Sequence, residues 1–95
     1  MSWRVTIRDR GQTDLVRAFL WYNQQQPGLG EGLVDEVRRC IHALEEDPLR
    51  YPVYYRGFRR ILTRRFPYKL FFRVESNNVI VFRILHGRQD HRSKF

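Results

Sequence analysis

The stretch YKLFFRVESNNVIVFRIL, residues 68–85, decides the fold of this 95-residue chain. Apolar and polar residues alternate on either side of Ser76, Asn77 and Asn78, and a period of two is typical of β-strands. Asparagine tolerates the positive φ that a tight hairpin turn requires. The pattern therefore predicts two antiparallel strands, over residues 68–75 and 79–85.

Two further strands follow from the same alternation. Residues 58–64 precede this hairpin with a period of two, and Trp3, Val5 and Ile7 alternate with polar residues near the start of the chain. The last three strands are close enough in sequence to form an antiparallel meander. The segment from residue 49 to 57, rich in tyrosine and containing Pro52, is predicted to be a loop.

Between the first strand and the meander, the apolar period changes to that of a helix. One amphipathic helix ends near Gln25, and a second is stopped by Asp47 and Pro48. The PGLG sequence at residues 27–30 leaves room only for a tight connection, so the helices should form an antiparallel hairpin. The apolar positions that give the helical period are Leu15, Ala18, Phe19, Tyr22, Leu33, Val37, Ile41 and Leu44.

These elements predict one α+β domain over residues 1–95 with the order β-α-α-β-β-β. A single helical hairpin covers only one face of a four-stranded sheet, so the other face should be open. By alternation, Tyr68, Leu70, Phe72 and Val74 should face the helices. A basic surface carrying an aromatic ring is expected on the other side, formed by Lys69, Phe71, Arg73, Arg83 and one of Arg59 or Arg60.

The charge distribution supports a contact role for that surface. The chain has a net charge of +8, and only two of its eighteen bases are lysines. Residues 9–47 contain eight acids and four bases, whereas residues 56–74 contain seven bases and no acid. Such a field attracts phosphates or an acidic polypeptide, and arginine binds carboxylates and phosphates in a bidentate manner. A solvated basic face is the alternative.

Several classes of protein are disfavoured by the sequence. No apolar run is long enough to span a bilayer, so a cytoplasmic protein without a membrane partner is expected. Cys40 is the only cysteine, which excludes an internal disulfide and fits a small core residue in a reducing compartment. His42 and His91 lack a set of companion ligands. We predict neither a metal site nor a cofactor.

Several segments in the same order and spacing resemble the RelE/ParE superfamily of bacterial type II toxin–antitoxin toxins, and more closely its ParE branch. They are an Asp-Leu pair at Asp14 and Leu15, WYNQQQPGLG at residues 21–30, EEDP at 45–48, YPVY at 51–54, RRILTRRFPY at 59–68 and HGR at 86–88. The resemblance implies a small toxin in a hetero-oligomer with a cognate antitoxin, whose C-terminal segment wraps the toxin. It implies inhibition of DNA gyrase for a ParE-like member, and ribosome-dependent cleavage of mRNA for a RelE-like one.

The ribonuclease alternative makes a specific demand on the residues. Cleavage needs a group that moves protons and cations around the phosphorane. The candidates for that chemistry are Arg60, Lys69, Arg73, Arg83 and His86, although His86 could equally be a strand-end residue that binds the backbone of the tail.

We favour the non-enzymatic, gyrase-directed function and keep the endoribonuclease as the alternative. A non-toxic basic nucleic-acid-binding module is a third possibility. The residues predicted to contact an acidic and apolar antitoxin segment, or the target, are Tyr54, Tyr55, Arg59, Arg60, Arg64, Arg65, Lys69, Phe71, Arg73, Arg83 and Arg88.

Overall fold

The computed structural model describes residues 3–88. The predicted α+β class is confirmed, with an N-terminal strand, two helices and then further strands. Residues 89–95, which include His91, lie outside the described residues. The elements are β1 (Arg4–Ile7), α1 (Asp9–Gln25), α2 (Leu29–Glu46), a 3₁₀ turn (Pro48–Arg50), β2 (Val53–Tyr55), β3 (Phe58–Leu62), β4 (Tyr68–Glu75) and β5 (Asn78–His86).

The sheet has five strands in the order β1-β5-β4-β3-β2, rather than the four predicted. The additional strand, β2, lies in the segment predicted to be a loop, and it pairs antiparallel with β3 at the sheet edge. Its three residues are too few to show a period of two. At the opposite edge, β1 pairs with β5 in parallel, from Arg4 opposite Asn78 to Ile7 opposite Val81.

The helical hairpin turns at Gly28, whose φ of 91° is a left-handed conformation that favours glycine. Asn23 of α1 stabilises the turn, because its Oδ1 accepts hydrogen bonds from the Gly28 amide at 3.1 Å and the Gly30 amide at 2.8 Å. These bonds satisfy donors that a helix start leaves unpaired. Gly30 also brings the helices close together, since an added Cβ would lie 2.5 Å from the Phe19 carbonyl oxygen.

The main core lies between the two helices and one face of the sheet, as predicted. On β4, Leu70 and Phe72 are fully buried in it, and Tyr68 and Val74 pack against it. Both helices contribute to this core, mainly through buried residues of α2. The other buried members are Ala18, Leu33, Val37, Cys40, Leu44, Ile61, Phe66, Val79, Val81 and Ile84.

The β4–β5 hairpin contains two local features that the alternation did not predict. The positive φ of its turn belongs to Ser76, at 55°, rather than to an asparagine. Further along, Phe72 lies opposite Val81, whereas Phe71 lies opposite Arg83. Strand β5 therefore holds one more residue than β4 between these pairs, which is a β-bulge and changes the alternation of β5 beyond it.

Candidate functional site

The sheet face opposite the helices, called the open face here, carries a second and smaller apolar cluster. Phe58, Phe71 and Leu85 are buried in it, and Phe82 packs against them. No helical residue belongs to this cluster. Phe71 lies on the predicted face, but it is fully buried, so the expectation of an exposed ring at this position is wrong.

Arginine side chains cover the rings of this cluster. The guanidinium carbon of Arg73 lies 4.2 Å from the ring centroid of Phe58 and 5.8 Å from that of Phe82. Arg8, which directly precedes α1, places its guanidinium carbon 4.8 Å from the Phe82 centroid. Cation–π attraction and burial of the aliphatic stems stabilise this arrangement while the charges remain near the surface.

A third arginine extends the covering toward the β2 edge. The guanidinium carbon of Arg60 lies 3.9 Å from the Tyr54 centroid, and the Tyr54 ring lies 6.0 Å from that of Phe71. Of the Arg59–Arg60 pair, Arg60 is therefore the residue on the open face. Lys69 follows from the register, because it lies opposite Leu85 and two residues before Phe71.

Arg73 has a second contact that links the open face to the β2–β3 turn. Its Nη2 donates to the carbonyl oxygen of Arg56 at 2.8 Å. Arg56 and Gly57 both have positive φ, at 49° and 80°. The Nε of Arg73 is buried and has no hydrogen-bond partner among residues 3–88. Arg73 therefore both carries charge on the open face and holds a strained turn in place.

Arg83 was predicted on the open face, and the structure contradicts that prediction. Its Nε and Nη2 donate to the two carboxylate oxygens of Asp14 on α1, at 2.7 and 2.9 Å. Both side chains are only 11% exposed. The hydrogen bond from Arg83 to Asp14 also raises the pKa of the guanidinium. The alternation of β5 itself is the physical reason, because Arg83 follows Val79 and Val81 at a spacing of two, and both valines belong to the core on the helix side.

His86 also lies on the helix side of the sheet. It is opposite Tyr68 in the register, and the two rings are in edge contact at 5.4 Å. Its Nδ1 accepts a hydrogen bond from the Arg88 amide at 3.0 Å, which matches the strand-end alternative given for this residue.

Arg83 and His86 line one cleft of about 440 Å³ between α1 and the ends of β4 and β5. Burial, together with the neighbouring Tyr22, raises the pKa of Tyr68 in this cleft to about 12. The α1 wall of the cleft is formed by Asp14, Arg17, Ala18, Trp21 and Tyr22.

The other predicted contact residues lie apart from the open face or at its margins. Arg59 is half-buried, and its guanidinium donates to the carbonyl oxygens of Leu49 and Tyr51. That side chain therefore anchors the segment that precedes β2. Tyr55 is half-buried on β2, with the guanidinium carbon of Arg56 5.3 Å from its ring centroid, whereas Arg64, Arg65 and Arg88 are exposed in turns.

The turn that holds Arg64 and Arg65 is fixed by a carboxylate from α2. Glu36 Oε1 accepts hydrogen bonds from the Arg64 amide at 2.6 Å and the Arg65 amide at 3.2 Å. The Arg64 bond is the main cause that lowers the pKa of Glu36. The backbone N–H donors of this basic turn are thus satisfied from within the molecule, while both arginine side chains are exposed.

The ion pairs are distributed unequally between the helical side of the molecule and the open face. Within residues 3–88 three arginine–carboxylate pairs are formed, Asp35 with Arg38, Glu36 with Arg39 and Asp14 with Arg83, and Glu45 contacts the imidazole of His42. Each of these acids belongs to α1 or α2. Arg8, Arg60, Lys69 and Arg73 form none of these pairs. In the part of the chain that the structure describes, these four bases of the open face are therefore not neutralised by an ion pair.

Sequence reasoning missed three residues of these sites. Asp14 was noted only as part of a motif, and its partner Arg83 lies 69 residues away, so no local spacing indicates the pair. Arg8 follows β1, and Phe82 lies at the bulge of β5. These two residues come together only in the folded sheet. No group of residues suited to metal binding occurs within residues 3–88, and no helix there is long and apolar enough to cross a membrane.

Comparison with known proteins identifies the family. Residues 5–91 match the family model described as ParE toxin of type II toxin-antitoxin system, parDE. The chain belongs to the ParE toxin family. No curated protein sequence matches it significantly.

Solved structures agree with the fold of a ParE-family member. A chromosomal ParDE toxin–antitoxin system from P. aeruginosa aligns with a TM-score of 0.79 at 18% identity, over 90% of this chain and 96% of that one. The toxin–antitoxin complex RelBE2 from Mycobacterium tuberculosis aligns with a TM-score of 0.61 at 21% identity, over 90% and 99% of the two chains. At these identities the likeness establishes a shared fold.

Proposed function

We propose that this ParE-family chain acts by binding DNA gyrase and inhibiting it, and that a cognate antitoxin neutralises it. The observation that carries the choice of target is the separation of the five residues that a ribonuclease would need. Arg60, Lys69 and Arg73 belong to the open face. Arg83 and His86 line the cleft beneath α1, on the other side of the sheet.

This separation disfavours RNA cleavage on physical grounds. A general acid or base must be within hydrogen-bonding reach of the proton it moves, and the stabilising cations must surround the same phosphate. One phosphate cannot contact groups on opposite faces of a sheet. Arg83 is also held by Asp14, so its charge is already compensated. A function that depends on binding alone makes no such demand.

An antitoxin partner is supported by the chemistry of two surfaces. The open face offers cations that an acidic segment would neutralise, with Leu62 and Tyr54 exposed at its margin. On the helical side, Val16, Leu20 and Trp21 of α1 are each more than half exposed. An acidic and apolar segment that orders as it binds suits both surfaces. The ParDE and RelBE2 structures that align with this chain come from toxin–antitoxin systems.

Two assays on the purified chain test the choice of target. We expect inhibition of DNA supercoiling by gyrase, and no cleavage of mRNA on translating ribosomes. The variants Arg60→Gln and His86→Gln sample the two sides of the sheet. The endoribonuclease function would replace the gyrase function if the unmodified chain cleaved mRNA on ribosomes and left supercoiling unaffected. Either variant should then abolish the cleavage. Harmless expression in bacteria together with neither activity would favour a non-toxic nucleic-acid-binding module.

A further inference from the structure

The open face is suited to bind a polyanion other than the antitoxin segment. We infer that it binds the phosphate backbone of duplex DNA, without sequence preference. This contact needs no gyrase and is a property of the isolated chain. It rests on the uncompensated charge of the open face, on the way its arginines are held, and on the burial of its rings.

The charges come first. Arg8, Arg60, Lys69 and Arg73 make no ion pair among residues 3–88, where every paired acid lies on a helix. Glu75, two residues after Arg73 on β4, is an acid of the same face, and it forms none of these pairs. Duplex DNA carries one negative charge per approximately 1.7 Å of its axis, so it would supply the missing anions along the whole face.

The arrangement of the arginines favours phosphate as the ligand. Arg8 and Arg73 both approach the ring of Phe82, at 4.8 and 5.8 Å from its centroid, so one ring is in contact with two cations. An anion near both would remove their repulsion. Arg8 is exposed, so its N–H donors can match phosphate oxygens while its guanidinium carbon lies near the ring. Arg73 uses Nη2 on the Arg56 carbonyl and contributes mainly its charge.

Burial of the rings distinguishes backbone contact from base stacking. Proteins that bind single strands stack bases on accessible aromatic side chains. Here Phe71 is fully buried and Phe58 is 6% exposed, beneath the covering side chains. Bases could reach these two rings only by displacing arginines, and Tyr54, which is 43% exposed at the margin, already has the Arg60 guanidinium over its ring. Contacts from arginine and lysine to phosphates position a protein on a duplex but carry no sequence information, so binding should be independent of sequence.

Fluorescence anisotropy with a labelled duplex of two helical turns tests this inference. We expect the logarithm of the association constant to fall linearly with the logarithm of salt concentration, by roughly 0.9 for each phosphate neutralised. Arg60→Gln and Lys69→Gln should each weaken binding severalfold at low salt and reduce that slope by about one. The control variant Arg38→Gln removes the same charge from an exposed position on α2. Its affinity and its slope should stay close to those of the unmodified chain. Circular dichroism would confirm that all variants are folded.

Three results would overturn the inference: no binding of the unmodified chain at low salt, an equal loss in Arg38→Gln, or preference for a single strand of RNA or DNA over the duplex. The gyrase assay separates this outcome from the proposed function. Supercoiling inhibition without duplex binding would remove the DNA contact and leave gyrase as the target. Duplex binding without inhibition would support the contact and reject gyrase.

Discussion

Asp14 of α1 and Arg83 of β5 form a two-bonded ion pair across 69 residues of sequence, and the same carboxylate accepts a hydrogen bond from the Ile84 amide at 3.0 Å. These three bonds attach α1 to the centre of the sheet. Loss of the carboxylate would leave a largely buried guanidinium without its partner, which costs about 3 kcal/mol in comparable sites. We expect Asp14→Ala to lower the melting temperature by at least about 10 °C, measured by thermal unfolding.

The matched control is Asp35→Ala, which removes an acid from an exposed ion pair with Arg38 on α2. Exposed pairs contribute about 0 to 1 kcal/mol, so this variant should unfold close to the unmodified chain. Equal melting temperatures for the two variants would show that the Asp14 pair does not attach α1 to the sheet.

Glu36 makes stability depend on pH. Hydrogen bonding to the Arg64 amide lowers the pKa of its carboxyl below the ordinary value of 4.5. Its contribution is therefore fully present above pH 4.5 and is lost as the pH falls through the lower, folded-state value. We expect Glu36→Gln to be less stable than the unmodified chain at neutral pH, with the difference shrinking in acid. Denaturant unfolding of both proteins across this range measures it, and a constant difference would contradict the assignment.

Gly30 allows the two helices to approach each other. Gly30→Ala would place a Cβ against the backbone of Phe19, so the helices must separate, and we expect a loss of about 2 kcal/mol in the free energy of unfolding. Gly32→Ala is the control in the same helix. Its Cβ would meet Phe66 at 3.4 Å, an ordinary contact, and it should be neutral or stabilising by up to about 1 kcal/mol. Chemical denaturation of the two variants should therefore give changes of different size or sign.

Cys40 should be inert in the folded chain. Burial raises the pKa of its thiol to about 11, and thiolate is the reactive form. We expect slow modification by a disulfide reagent at mildly alkaline pH and rapid modification once denaturant is added. The two rates, measured by absorbance, report opening of the core around α2. Rapid reaction in the absence of denaturant would show that the thiol is accessible in the native state.

Much of this fold follows from periodicity alone. The two helices, the hairpin turn and the partition of β4 between core and open face are set by local pattern, and the structure confirms them. Strand β2 escaped prediction because a three-residue edge strand after a proline has no period to detect. It is defined only by its pairing with β3.

The errors at the site have a different cause. A β-bulge adds one residue to β5, and a single sequence gives no sign that Ile84 then belongs to the helix-side core and Leu85 to the open face. Arg83 was assigned to the wrong side because it was grouped with the bases of β4, whereas its spacing of two from Val79 and Val81 places it on the helix side. Phe71 was predicted on the correct face but not as a buried ring, because its neighbours Phe58 and Leu85 in the open-face cluster come from other strands.

The parallel pairing of β1 with β5 has a consequence for how the molecule assembles. The helical hairpin and the antiparallel strand pairs join elements that are neighbours in sequence, whereas Arg4 of β1 pairs with Asn78 across most of the chain. Closing so large a loop costs conformational entropy before any contact rewards it, and only four residues of β1 then contribute. Strand β1 should consequently be the last to pair during folding and the first to detach during unfolding. The intermediate would keep the helical hairpin and the antiparallel strands.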